Sequence, residues 1–219
     1  MRQRRGVLFD HDGTLVDSLD LVEVATNAVL ADRGHPPQDR TAIIDGMVLP
    51  TGPRLGLLLG IENSGEQAAL AEAFFLHARA IGVAQARLYP GIAELLAELH
   101  EAGWALGVVS NNEGRLVREL LADLGLAGYL AVTLGEEDMR AAKPDPSGIH
   151  QALAGLDLVA EQCHFIGDSS SDSGAAAAAG VPAIGVAWGT HNAAELRAMG
   201  FPTVVETIAD LRTALVPAG

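Results

Sequence analysis

Asp10 and Asp12 stand two residues apart in Asp10-His11-Asp12-Gly13-Thr14-Leu15-Val16-Asp17, directly after the apolar run Gly6-Val7-Leu8-Phe9. Carboxylates this close at a strand end repel one another unless a cation relieves them, and hard oxygen ligands favour Mg2+. Gly13 would let backbone N–H groups approach an anion closely. The plainer alternative is a solvated strand-to-helix turn, where Asp, Gly and Thr are all common. A second acidic group, Ile166-Gly167-Asp168-Ser169-Ser170-Ser171-Asp172, also follows an apolar run. Asp168, at the strand end, is the better metal ligand of the two, whereas Asp172 also suits a helix N-cap.

A cation and a hydroxyl complete the chemical inventory. Lys143, in Lys143-Pro144-Asp145-Pro146, is the only lysine beside thirteen arginines. A composition that spares one compact ammonium fits a place too narrow for the guanidinium fork, with chance survival as the alternative. Ser110, in Val108-Val109-Ser110-Asn111-Asn112, offers a hydroxyl ahead of a helix. It reads either as a phosphate contact at a helix N-terminus or as an ordinary cap. Arg54, in Thr51-Gly52-Pro53-Arg54, is a candidate for a substrate carboxylate or second anionic group, against an ordinary arginine at a helix start.

The elements that must hold these residues follow from periodicity. Short apolar runs predict strands at Gly6–Phe9, Ala105–Val109, Tyr129–Leu134, His164–Ile166, Pro182–Val186 and Thr203–Val205. Helical spacing separates them: Leu116, Leu120, Leu121 and Leu124 ended by Gly125, then Ala194–Met199, then Ile208–Leu215. Strands alternating with helices predict an α/β fold, a Rossmann-like parallel sheet flanked by helices. The low-complexity run Ala175–Ala179 reads as a closely packed helix. From about Leu19 to Arg87 the rhythm breaks into helical faces at Leu19–Leu30, Arg40–Met47, Arg54–Leu59 and Glu66–Ile81, with no convincing strand. An all-helical insertion after the first strand is expected, giving a core of 1–17 and 88–219 and an inserted domain of 18–87. The candidate side chains then gather at the C-terminal edge of the sheet, where open α/β sheets bind ligands.

Composition narrows the partners. The chain has 219 residues, 49% of them hydrophobic, and a formal net charge of −14. That charge argues against nucleic-acid polymers and anionic membranes as main partners, but permits a small anion if cations gather at one site. One cysteine, Cys163, cannot form an internal disulfide, which fits a reducing compartment. The basic start Met1-Arg2-Gln3-Arg4-Arg5 is followed by an apolar run too short for a signal peptide. No stretch approaches the roughly 20 apolar residues of a membrane span. A cytoplasmic location is expected; the oligomeric state is not legible.

Taken in order, these segments resemble the haloacid dehalogenase-like hydrolases, specifically the phosphatases similar to phosphoglycolate phosphatase. Asp10-His11-Asp12-Gly13-Thr14 resembles the first family motif, Ser110-Asn111 the second, Lys143-Pro144 the third and Gly167–Asp172 the fourth. Tyr89-Pro90-Gly91 and Val186-Ala187-Trp188-Gly189 resemble further family segments. The resemblance implies an Mg2+-dependent phosphatase acting on a small phosphorylated metabolite, with phosphoglycolate, sugar phosphates, nucleotides and pyrophosphate all open. It implies Asp10 as nucleophile and Asp12 as general acid and base. It also implies metal binding by Asp10, the Asp12 carbonyl and Asp168, with Asp172 supporting that set or Lys143. Lys143 and Ser110 would orient the phosphoryl oxygens, with Gly13, Thr14, Asn111 and Arg54 as further substrate contacts and the helical insertion as a cap. A sugar phosphomutase and a catalytically silent binding or regulatory protein are the alternatives. A dehalogenase fits less well, because Asp12 and the Asp-Gly-Thr turn suit a phosphate. His11 departs from the usual apolar residue between the two acids. It reads as a tolerated turn residue or as a side chain that faces the cap and touches substrate.

Overall fold

A computed structural model of the chain describes residues 4–215, so Met1, Arg2 and Gln3 of the basic start and residues 216–219 lie outside the described residues. The chain runs β1 (Gly6–Phe9), β2 (Val16–Asp17), α1 (Leu19–Asp32), α2 (Arg40–Gly46), α3 (Thr51–Leu59), α4 (Ser64–Ile81) and β3 (Arg87–Leu88). It continues with α5 (Ile92–Glu101), β4 (Ala105–Val109), α6 (Gly114–Asp123), β5 (Val132–Leu134) and α7 (Ser147–Leu156). The last third is β6 (Cys163–Gly167), α8 (Ser170–Ala179), β7 (Ala183–Val186), α9 (Ala193–Ala198), β8 (Thr203–Val205) and α10 (Ile208–Leu215).

Six strands form one sheet in the order β5-β4-β1-β6-β7-β8, and every pairing in it is parallel. Successive residues of β1 serve opposite layers, as strand geometry requires. Val7 and Phe9 pack with α5, α6 and α10 through Leu95, Leu96, Leu116, Leu120 and Leu211. Leu8 packs with α7 and α8 through Ile149, Ala152, Ala175 and Ala176. Covering both faces explains why β1, β4 and β7 are buried along their whole length. Gly174 lets α8 come close to the loop ahead of α7: a Cβ there would lie 2.9 Å from the Pro144 side chain. The expected α/β architecture with a Rossmann-like parallel sheet is therefore present.

Residues 19–81 form four helices between the first strand and the return to the sheet. Their buried side chains, Leu21, Ile43, Leu55, Leu70 and Phe74, join the same apolar cluster as Val7 and Phe9. A two-stranded antiparallel ribbon, β2 with β3, closes the base of this insertion. Periodicity did not reveal the ribbon, because two-residue strands carry no repeat. Strand boundaries also move, by one residue at β6 and β7 and by three at the start of β5. Tyr129, expected to open a strand, ends a 3-10 turn at Ala127–Tyr129, and pairing with β4 starts only at Val132. Tyr129 and Leu130 are partly buried against the core, so their apolar character reflects packing and not sheet pairing.

Candidate active site

β1 is central in the sheet, and the chain leaves it first towards β4 and later returns on its other side at β6. Loops leaving such strands diverge and open a crevice at their C-terminal ends. Asp10 follows the last residue of β1, Ser110 that of β4 and Asp168 that of β6. Lys143 arrives differently. It comes from the loop ahead of α7, well past the end of β5, and Asn111 fastens it there. Asn111 Oδ1 accepts from the Lys143 N–H at 2.8 Å, and its Nδ2 donates to the Lys143 carbonyl at 2.9 Å.

Lys143 Nζ donates to Asp10 Oδ1 at 2.7 Å, to Asp172 Oδ1 at 2.7 Å and to the Val109 carbonyl at 2.9 Å. All three of its N–H groups are used, in a pocket that leaves the residue 3% exposed. Burial alone would lower its proton affinity, but the two carboxylates reverse that and hold it cationic well above the usual lysine range. The other Asp172 oxygen accepts from the Ser169 N–H and hydroxyl at 3.0 and 2.6 Å and from the Asp168 N–H at 3.2 Å. Asp172 is thus not the N-cap of α8. Ser169 takes that position, and Asp172 reaches back from the first turn.

Asp10, Asp168 and Asp172 bring carboxylate oxygens within 4.8 Å of one another, all buried. Burial pushes the Asp10 carboxyl up, Lys143 pulls it down, and the charges of Asp172, Asp168 and Asp12 leave it well above the usual range. Asp168 is pushed up to about 6 by burial and by Asp172, against hydrogen bonds from Thr190. One ammonium does not balance this much buried negative charge. The surplus, carried on hard oxygen donors, suits a divalent cation, so the residues present fit a metal site.

Asp12 stands apart electrostatically. Burial pushes it up, but the nearby His11 ring and hydrogen bonds from Ser18 and Asn112 more than offset that and keep it below the usual carboxylate range. The Ser18 hydroxyl donates to Oδ1 and Asn112 Nδ2 donates to Oδ2 at 3.0 Å. His11 Nδ1 lies 3.1 Å from Asp12 Oδ1, in an orientation too poor for a full hydrogen bond, and both ring nitrogens lack a good partner. The ring is fully buried and does not line the cavity.

A cavity of about 50 Å3 lies above these groups, with Asp10, Asp12, Ser110, Lys143 and Asp168 in its wall. Arg54 completes the wall from α3, 4% exposed, with its Nη1 unpartnered among the described residues and its guanidinium 5.1 Å from the Phe74 ring. Burial pulls this guanidinium down to about 10, while Asp12 favours its charge. The insertion also touches the core here: the Val48 carbonyl accepts from Asn111 Nδ2 at 3.1 Å. Gly13 and Thr14 do not line the cavity. Gly13, at φ +75°, packs so close to Asp168 that a Cβ would lie 2.2 Å from its Oδ2. Asn111 lines the cavity, although its side-chain amide is taken up by Lys143 and Val48. Sequence reasoning missed Asn112, Thr190 and His191, which also border the cavity. Amides, hydroxyls and lone imidazoles in loops carry no spacing signal, and only the position of Asn112 two residues after Ser110 pointed that way.

Comparison with known proteins identifies the family. The family model of haloacid dehalogenase-like hydrolases matches residues 7–186. A phosphoglycolate phosphatase of Yersinia pseudotuberculosis is 34% identical over 216 residues, covering 96% of this chain and 93% of that one. Another phosphoglycolate phosphatase, from Xanthomonas campestris, is 33% identical over 86% of each chain. A crystal structure of a haloacid dehalogenase-like hydrolase from Bacteroides fragilis superposes with a TM-score of 0.87 at 27% identity, covering 95% of this chain and 100% of that one. The crystal structure of a predicted phosphoglycolate phosphatase from Haemophilus somnus, 24% identical with a TM-score of 0.84 over 98% of this chain and 99% of that one, shares the fold. The chain therefore belongs to the haloacid dehalogenase-like hydrolases, among the phosphatases similar to phosphoglycolate phosphatase, and is a phosphoric monoester hydrolase.

Proposed function

We propose that the protein is an Mg2+-dependent phosphatase that transfers a phosphoryl group to Asp10 and then hydrolyses the aspartyl-phosphate. The observation that carries this reading is the buried ammonium of Lys143, 2.7 Å from both Asp10 and Asp172, beside a third carboxylate. Asp10, the backbone carbonyl of Asp12 and Asp168 would hold the metal, while Asp172 keeps Lys143 in place. When bound, the ion supplies the positive charge that lets a carboxylate approach a phosphate dianion.

The chain's own residues divide the remaining work. Asp10 attacks phosphorus, and its bond to phosphorus forms as the ester oxygen leaves. Asp12 gives that oxygen a proton and later takes one from the attacking water. Its neighbours hold its carboxylate strongly ionised, and an arriving phosphate dianion raises its proton affinity. Lys143 and Ser110 face the charge that shifts onto the phosphoryl oxygens. Residues 18–87 act as a cap that excludes water during transfer.

The same reading bears on the substrate. A cavity of about 50 Å3 admits a small leaving group, and the unpartnered Arg54 Nη1 suits a second anionic group on it. Phosphoglycolate, the substrate in the names of the bacterial relatives, has that form. Assays of purified protein on a phosphomonoester panel test this. Turnover that requires Mg2+, ceases with a chelator and is lost in Asp10→Asn is expected. No turnover of any member with Mg2+ present would overturn it.

A further inference from the structure

The loop after β7, Trp188-Gly189-Thr190-His191, is used by no step of the reaction above, yet it grips one ligand of the proposed metal. Thr190 donates twice to the same Asp168 oxygen: its N–H reaches Oδ2 at 2.8 Å and its hydroxyl at 2.6 Å. Backbone crowds that oxygen from both sides. A Cβ on Gly13 would lie 2.2 Å from it, and one on Gly189 2.4 Å. The other oxygen, Oδ1, accepts no hydrogen bond among the described residues.

The grip is itself fastened. His191 Nδ1 lies 2.8 Å from the Asp168 carbonyl, which can only accept, so this nitrogen carries the hydrogen. The same nitrogen lies 2.9 Å from the Thr190 hydroxyl. Trp188 Nε1 donates to the Thr14 carbonyl at 3.1 Å, which ties the loop to the turn bearing Asp10 and Asp12.

We propose that Thr190 is a positioning residue: by occupying Oδ2 it turns Asp168 into a one-oxygen ligand, and so favours Mg2+ over Ca2+. The inference rests on the assignment of Asp168 to the metal. A carboxylate free to rotate can offer both oxygens, which suits the larger, more flexible shell of Ca2+. Mg2+ needs a near-octahedral arrangement in which each carboxylate gives one oxygen. Side chains that orient a ligand in this way commonly change metal affinity by about 10- to 100-fold when removed.

The test is calorimetric binding of Mg2+ and of Ca2+ to the wild type, Thr190→Val, Thr190→Ser and Asp168→Asn, each first checked for a wild-type circular dichroism spectrum. Thr190→Ala replaces Thr190→Val if the valine does not fold. Thr190→Val is expected to bind Mg2+ about tenfold more weakly, with a smaller loss for Ca2+, and Thr190→Ser to restore both values. Unchanged Mg2+ binding in Thr190→Val, equal losses for the two ions, or no rescue by serine would overturn the proposal. If Asp168→Asn loses Mg2+ while Thr190→Val keeps it, this inference alone falls. If the wild type binds no Mg2+, the metal assignment falls and takes this inference with it.

Discussion

At the scale of single residues, the charge pattern around Lys143 dominates. Its ammonium has three acceptors and two of them are carboxylates. A guanidinium cannot repeat that compact arrangement. Lys143→Arg should therefore lower kcat by about 100-fold or more at saturating Mg2+, the order expected when aligned transition-state charge is lost. Lys143→Ala should lose about 3–5 kcal/mol of stability in a denaturant titration of metal-free protein, as for a broken buried ion pair. Near-normal kcat in Lys143→Arg would contradict this placement. The lone lysine was legible from composition. Asp172 entered as a partner only through the family resemblance, as a support either of the metal ligands or of Lys143, because the two meet only after α8 packs beside the loop ahead of α7. His11 shows the opposite case. The sequence left open a contact with substrate, but the ring is fully buried away from the cavity wall. His11→Leu is expected to leave the order of kcat/KM across a phosphomonoester panel unchanged, and a reordered panel would return His11 to the substrate.

At the scale of elements, the strands that Asp10, Ser110 and Asp168 directly follow were readable. Each is a short apolar run buried on both faces and followed at once by polar residues. The route of Lys143 was not, since a loop pinned by Asn111 has no periodicity to read. The insertion was legible as helices, but what those helices present to the site was only half legible. Arg54 is the clear case: a single arginine near a helix start says little, and only its burial with a free Nη1 marks it. Arg54→Met should raise KM by about tenfold for substrates with a second anionic group, the loss of one charge-assisted hydrogen bond of about 1.5 kcal/mol. An aryl phosphate lacking that group should show little change. Equal KM increases for both would assign Arg54 to the phosphate itself or to packing.

At the scale of the whole molecule, the layers that cover the inner strands of the sheet put the one thiol, in β6, out of reach. Cys163, in β6, is 0% exposed, and burial pushes its thiol up to about 12. The thiolate is the reactive form, so a raised pKa means slow reaction at any pH well below it. Iodoacetamide near pH 8 should leave Cys163 unmodified in the native protein and alkylate it in step with urea unfolding. Fast native alkylation would mean that this end of the sheet opens. The insertion shares a continuous apolar cluster with the sheet, so the groups supplied by β1, β4, β6 and α3 meet around one small cavity. All of that architecture converges on Asp10, and its covalent role can be read directly. Enzyme quenched during turnover of a phosphomonoester with Mg2+ is reduced with borohydride, which converts an aspartyl-phosphate to homoserine, and the digest is sequenced by mass spectrometry. Homoserine is expected at position 10, dependent on both substrate and Mg2+. Reduction at another residue, or undiminished turnover in Asp10→Asn, would contradict it.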